Sequence, residues 1–471
     1  YDRAGNVAVD SVSFVVDTIV PYVEILSPIN NSYVGGTVLI SVNSSDANPD
    51  TTWLVINGSV VDSWVGSGVF SYSWDTTIYP EDVYEIIAYA NDSAGNMASY
   101  RILVYVDNAA PFVNINQPLD GEYVSGVVII NITANDTHFS NVELYIDGNM
   151  VINWTTPGTH TYLWNTTTTY DGDHTIKAVA YDLAGNVNSV EITVTVDNTP
   201  PSVSFDAPTN NSYVKGSVDI VVRANDNMAL KNVTLYINGS LVDQWNETGQ
   251  HTYTWDTTSI SDGLYELMAM AYDMSGNMAS TYIYVTVDNT PPDVTIIKPT
   301  SGTWLNTSDV NVSWTGSDNV SGIDYYEVRV DGGSWINVGN STSYLFVGLE
   351  EGMHIVDVQA FDRAGNTRMA SVTFGVDLTP PTVTIVDINP SGLVGGYVYT
   401  TPTFTLTYDY SDNVSNIVLA EIYLNGSLYV NQTLGQMSGS STVTISGLIV
   451  GQYYNVSVYV YDEAGWAGVD Y

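Results

Sequence analysis

The chain has 471 residues, with 10 Lys and Arg against 51 Asp and Glu, a formal net charge of −41. That balance argues against nucleic acid and anionic membrane surfaces as partners, because both need clustered cations. It favours bound cations, or a surface kept soluble by self-repulsion.

Cysteine is absent, which removes disulfides, thiolate chemistry and cysteine-based metal sites. Hydrophobic residues make up 44% and aromatic residues 12%, enough to bury cores rather than stay disordered. No apolar run reaches the ~18 residues of a membrane-spanning helix, so no transmembrane segment is expected. The chain opens at Tyr1 without a signal peptide, and is read as a mature product or a segment of something longer.

Internal repetition sets the architecture. The phrase YDRAGN at Tyr1 returns as NDSAGN, YDLAGN, YDMSGN, FDRAGN and YDEAGW, with aspartates at Asp2, Asp92, Asp182, Asp273, Asp362 and Asp462. The steps are 90, 90, 91, 89 and 100 residues. A Val-Asp pair ahead of proline marks the same period at Asp17, Asp107, Asp197, Asp288 and Asp377.

In chain order, residues 1–19 read as the last strand of a preceding or complemented domain. Ig-like domains then follow over 20–108 (domain 1), 109–198 (domain 2), 199–289 (domain 3) and 290–378 (domain 4). Residues 379–471 form domain 5, Ig-like or fibronectin-III-like and without its last strand. The boundaries fall at Pro21, Pro111, Pro200-Pro201, Pro291-Pro292 and Pro380-Pro381. Proline fixes φ and removes a donor, so it closes one ladder before the next begins. Linkers this short and Pro-rich limit the angle between neighbours.

Within a repeat the hydrophobic period is two. In domain 3 the strands are expected at 202–206, 217–224, 232–237, 240–245, 251–255, 263–272 and 279–287, with Asn238-Gly239 as a hairpin turn. Val233, Leu235 and Ile237 face one way, Thr234 and Tyr236 the other. Seven short strands in ~90 residues predict an all-β chain of tandem immunoglobulin-like β-sandwiches, arranged as beads on a string in a rod. Trp64, Trp154 and Trp245, with Trp74, Trp164 and Trp255, are expected to supply core bulk.

The phrases SYVxG, YxWDTT and AYDxAGN, closed by VDNTPP, resemble the Ig-like domain families found in tandem in secreted bacterial and archaeal proteins. The likeness covers domains 1 to 3. Domain 4 lacks WDTT and reads SYLFVGLEEG; domain 5 is longer and drifts toward a fibronectin-III pattern. The resemblance implies an extracellular spacer or adhesive module and fixes no single function.

A third aspartate recurs at the end of each second core strand: Asp46, Asp136, Asp226, Asp318 and Asp412. In a sandwich this turn, the turn before the last strand and the preceding linker share one pole. The expected trios are Asp17/Asp46/Asp92, Asp107/Asp136/Asp182, Asp197/Asp226/Asp273, Asp288/Asp318/Asp362 and Asp377/Asp412/Asp462. Three carboxylates with Asn and backbone carbonyls suit Ca²⁺, an oxygen-seeking ion. The layout is similar to the calcium-rigidified junctions of cadherins, without their full acidic signatures. The competing reading is that each aspartate caps its own turn.

The pattern Asn-x-Ser/Thr occurs at Asn30, Asn43, Asn57, Asn91, Asn131, Asn135, Asn153, Asn165, Asn210, Asn232, Asn238, Asn246, Asn306, Asn311, Asn319, Asn340, Asn413, Asn425, Asn431 and Asn455. That is more than twice what composition gives by chance. N-linked glycans on a secreted protein, made by an archaeon or another organism with that machinery, are the expected reading. Asn-Gly-Ser at Asn57, Asn238 and Asn425 is turn chemistry as well.

Strand alternation puts Met268, Met270 and Tyr272 on the outer face of domain 3 beside Tyr236, Tyr282 and Tyr284, and Trp53, Ile87, Tyr89, Leu103 and Tyr105 on that of domain 1. An outward apolar face marks a contact, such as lateral packing against another chain. A slip of one residue would reverse the faces.

His138, His160, His174, His251 and His354 are scattered, and nucleophile elbows, P-loops and HExxH are absent. No enzymatic activity is expected. Three functions remain open: an extracellular rod, stalk or surface filament; an adhesin, with the NQTLGQMSGSS loop of domain 5 as its candidate; and a spacer in a larger secreted enzyme. Five domains of about 35–40 Å would reach roughly 200 Å. Residues 1–10 align with 461–470, so both ends carry one closing turn. Such duplication is awkward for self-association by strand donation and natural for a stretch of a longer tandem array; either would form a fibre.

Overall fold

The computed structural model describes residues 3–389 and 402–471. Tyr1 and Asp2, which open the first repeated phrase, lie outside the described residues, as does part of domain 5. Each repeat folds as two facing, mainly antiparallel sheets around its own core.

Domain 3 shows the pattern. Its strands are Ser202–Ala207, Ser212–Val214, Ser217–Asn225, Leu230–Ile237, Ser240–Trp245, Gly249–Asp256, Gly263–Asp273 and Met278–Val287. The first, third and sixth make one sheet. The other five make the second sheet, in the order second, eighth, seventh, fourth, fifth. Domains 1, 2 and 4 repeat this arrangement. Seven of the eight strands match the sequence expectation. The exception, Ser212–Val214, has only three residues and pairs parallel with the last strand, Tyr213 opposite Thr286. It is too short to show alternation.

The inward faces are those the alternation requires. Val233, Leu235, Leu267, Ala269 and Ala271 have no solvent exposure, while Met268, Met270 and Tyr272 are half-buried on the outside. Asn238 and Gly239 both take positive φ, 47° and 78°, as a two-residue hairpin turn of this hand requires. Trp74, Trp164 and Trp255 are buried in the cores, whereas Trp64, Trp154 and Trp245 pack from the rim. The rim tryptophans stack on a ring one strand away: Phe70 at 5.0 Å, His160 at 4.9 Å and His251 at 5.0 Å between centroids.

The YxWDTT phrase has a local cause. Asp75 accepts from the backbone N–H of Thr77 and caps a single 3₁₀ turn over Thr76–Ile78. The buried Thr76 hydroxyl lies 2.8 Å from Gly36 O. Asn108, from the linker phrase, receives the Gly36 N–H and donates to Thr76 O, so one side chain ties three segments together. Asn198 and Asn289 do the same in domains 2 and 3.

Three expectations need correction. Residues 3–20 form no strand, and their side chains are open apart from the half-buried Asp17, Val15 at 87% exposure. A strand is held by ladder partners, and this segment has none in the described chain. Domain 5 does begin a last strand: Ala467–Asp470 pairs with Val456–Asp462, Tyr461 opposite Ala467. The NQTLGQMSGSS stretch is not a loop. It runs in two strands, Ser427–Gln436 and Ser438–Ile445, which cross at Met437 from one sheet to the other.

Candidate metal-binding junctions

Every junction is built from the same three turns. In domains 1 to 4 the last strand ends at valine and delivers the linker aspartate, and Asp17 likewise follows Val16. One of its oxygens, Oδ1, accepts the N–H two residues on, at 3.0 Å for Asp17 and 3.1–3.2 Å for Asp107, Asp197, Asp288 and Asp377. The prolines that follow prevent the ladder from continuing. Pro21, Pro111, Pro201, Pro292 and Pro381 are buried against the next domain.

The second aspartate closes the turn after the second long strand. Asp46, Asp136 and Asp226 each accept the N–H two residues on; Asp318 and Asp412 also accept the N–H three residues on. The third aspartate closes the AGN turn. Asp92, Asp182, Asp273, Asp362 and Asp462 all accept the N–H four residues on at 2.7–2.8 Å. Turn-capping is therefore present at every position, through one oxygen of each pair.

The AGN asparagine also locks the domain to its linker. Asn96, Asn186, Asn277 and Asn366 donate to the carbonyls of Asp17, Asp107, Asp197 and Asp288 at 2.8–3.1 Å. In domain 5 the Trp466 indole N–H takes over, 2.9 Å from Asp377 O. This role was not visible in the sequence, where AGN reads only as a turn.

The carboxylates of these turns converge. Asp17/Asp46/Asp92, Asp197/Asp226/Asp273, Asp288/Asp318/Asp362 and Asp377/Asp412/Asp462 each bring ligand atoms within 4.8 Å of one another. The second junction differs: Asp107 and Asp136 gather with His138 rather than with Asp182. His138 Nδ1 lies 2.8 Å from Asp107 Oδ2, and its ring packs on Tyr33 of domain 1 at 4.6 Å. The histidine that read as scattered is thus a junction residue. Its signal was its place two residues after Asp136.

The junctions differ in how far these oxygens are satisfied. Asp197 Oδ2, Asp226 Oδ1, Asp362 Oδ2, Asp377 Oδ2, Asp412 Oδ2 and Asp462 Oδ2 are buried with no hydrogen-bond partner. A buried carboxylate oxygen without a donor is costly unless a cation or proton meets it. The electrostatics agree. Burial, with Asp226, Asp273 and Asp171 nearby, pushes Asp197 up to about 6 despite the opposing Thr199 N–H bond. Burial also raises Asp288 and Asp462, with neighbouring carboxylates adding to it. Asp92 moves the other way, held down first by the Asn96 side chain.

Of the glycan-acceptor asparagines, Asn43, Asn91, Asn131 and Asn232 are half-buried and the rest are exposed. Several use their carbonyl oxygen structurally: Asn57 accepts from Glu85 N, Asn238 from Glu266 N and Asn425 from Asn455 N. On the outer faces, Trp53 stacks on Tyr89 at 5.2 Å and Tyr325 on Phe361 at 4.4 Å, while Tyr282 is 63% exposed. No helix of the described residues is long and apolar enough to cross a membrane.

The fold and its repeated junctions define a tandem array of Ig-like domains. The profile of the bacterial Ig domain matches residues 111–178, 201–269 and 292–354, which fall in domains 2, 3 and 4. Domain 4 is thus matched although it lacks the WDTT phrase. Halomucin of Haloquadratum walsbyi is 26% identical over 327 residues, covering 58% of this chain and 4% of that protein. The long isoform of an ulvan lyase from an Alteromonas species is 27% identical over 158 residues, 29% of this chain and 15% of that protein. The chain therefore spans only a small part of these relatives. Among solved structures, a tetra-tandem repeat from the extending region of a large adhesion protein is 22% identical, with a TM-score of 0.30; the match covers 76% of this chain and 100% of that one.

Proposed function

We propose that this chain is a stretch of an extracellular rod, stalk or surface filament, in which tandem Ig-like domains supply length and their junctions supply stiffness. The observation that carries the reading is the lock repeated at all five junctions, from the turn before the last strand to the preceding linker carbonyl. A catalytic site would be needed once; a device repeated at every boundary serves the array.

Calcium fits the junctions of Asp197/Asp226/Asp273, Asp288/Asp318/Asp362 and Asp377/Asp412/Asp462. Each offers three carboxylates within 4.8 Å and at least one buried oxygen without a donor. The all-oxygen donor set suits a hard cation. N-glycans on the exposed Asn-x-Ser/Thr sites would add polar cover to a chain in which only 13% of all residues are charged. The exposed aromatic face supports a second role in lateral packing or adhesion. The partial likeness to an ulvan lyase keeps the spacer of a larger secreted enzyme as an alternative.

Small-angle scattering of the full chain with calcium and with chelator tests the reading. An extended particle that loses length or gains flexibility on chelation supports it. A compact particle would sink the rod, and an unchanged profile would sink the role of calcium.

A further inference from the structure

The residue two places after the second aspartate of each domain varies: Asn48, His138, Met228, Val320 and Val414. Its chemistry follows the state of the junction. Asn48 Nδ2 donates to Asp17 Oδ2 at 3.2 Å, and His138 Nδ1 meets Asp107 Oδ2 at 2.8 Å. In these two junctions no aspartate of the trio has a buried oxygen lacking a partner. Where the residue is Met228, Val320 or Val414, it offers no donor, and buried carboxylate oxygens are left alone at Asp197 and Asp226, at Asp362, and at Asp377, Asp412 and Asp462.

Asp288 marks the intermediate case. Its Oδ2 receives the Ser321 N–H at 3.1 Å, yet Oδ2 of Asp362 across the cluster has no partner, whereas Oδ2 of Asp92, Asp182 and Asp273 each meets the asparagine of its own turn. The two classes also differ in sequence order: junctions without a buried orphan oxygen come first, those with one or more follow.

We propose that this single position decides which junctions take a divalent cation: Asn48 and His138 close the first two with a side-chain donor, and the last three each take one calcium ion. The inference rests on the calcium reading above and sharpens it from five equivalent sites to three. An imidazole or amide N–H placed on the linker carboxylate occupies the space and satisfies the oxygen that a cation would otherwise meet. Stiffening by calcium then acts on one part of the array, while the first two junctions hold their geometry without it.

The test counts tightly bound calcium per full-length chain after equilibrium dialysis in physiological salt, which screens loose binding to the acidic surface. Wild type is expected to hold three ions, His138→Val four and Met228→His two. Five ions in wild type, or counts that the two substitutions leave unchanged, would overturn the proposal. One equivalent of zinc held by wild type and lost in His138→Val would also overturn it, because His138 would then be a metal ligand. If no protein binds calcium, the calcium reading itself fails, and melting in chelator judges the position. A lower transition for His138→Val with a higher one for Met228→His keeps the donor role; no change in either removes it.

Discussion

At Asp197 the two carboxylate oxygens have different partners. Oδ1 receives the Thr199 N–H and fixes the linker turn; Oδ2 is buried without a donor. The folded chain holds the Asp197 proton up to about 6, above the ordinary 3.8. A raised folded pKa means its stabilising contribution is complete below the ordinary value and is lost as pH rises through about 6. In chelator, Asp197→Asn is therefore expected to gain melting temperature relative to wild type as pH rises from about 4 to about 6. In calcium the order should reverse, because the ion binds the carboxylate. Parallel melting curves for both proteins at both pH values check this. Asn277 belongs to the same junction, donating to Asp197 O at 2.8 Å and lying 2.7 Å from Asp273 Oδ2. Asn277→Ala removes both donors and should cost about 1–3 kcal/mol, read by calorimetry as an earlier domain 3 transition.

At the scale of elements, most strands were legible in the residues because a half-buried strand must alternate. Leu267, Ala269 and Ala271 are buried in that phase. The short Ser212–Val214 strand escaped because three residues carry no period. Its counterpart in domain 4, Trp304–Leu305, shows how such a strand is fitted. Trp304 lies opposite Gly375, where domains 1 to 3 place Tyr33, Tyr123 and Tyr213 opposite Tyr105, Thr195 and Thr286. The larger ring is accommodated by removing the facing side chain, and a Cβ at Gly375 would run into the indole. Gly375→Ala should destabilise domain 4 by about 1–3 kcal/mol. Adding Trp304→Tyr should recover part of that loss, measured as non-additivity in a double-mutant cycle. The crossing of domain 5 at Met437 was misread as a loop because Gly and Ser in NQTLGQMSGSS mimic turn composition, while their ladders are set by partners more than ten residues away.

For the whole molecule, the charge of −41 spreads over the array, but part of it is concentrated at the junctions. Neighbouring domains also touch directly, through the His138 ring on Tyr33, the Ser125 hydroxyl on Ser275 O and the Lys215 ammonium on Gly365 O. The exposed acceptor asparagines offer a second whole-molecule expectation. Intact-mass analysis of native material should show several glycans, with Asn43, Asn91, Asn131 and Asn232 the least occupied because they are half-buried. A native mass equal to that of the bare chain would remove the glycan reading.

The amino-acid sequence by itself determined the repeat, the all-β class, the inward faces and the convergence of acidic turns at one pole. These follow from period, proline placement and the shape of a sandwich, which are local or topological constraints. Only the tertiary structure decided what each acidic oxygen meets. His138 gathers with Asp107 and Asp136, and Asn48 gives the linker carboxylate a side-chain donor that Met228, Val320 and Val414 do not offer. The reason is physical: a carboxylate's state depends on which donors lie within hydrogen-bonding distance across segments far apart in the chain, and sequence spacing carries no such distance.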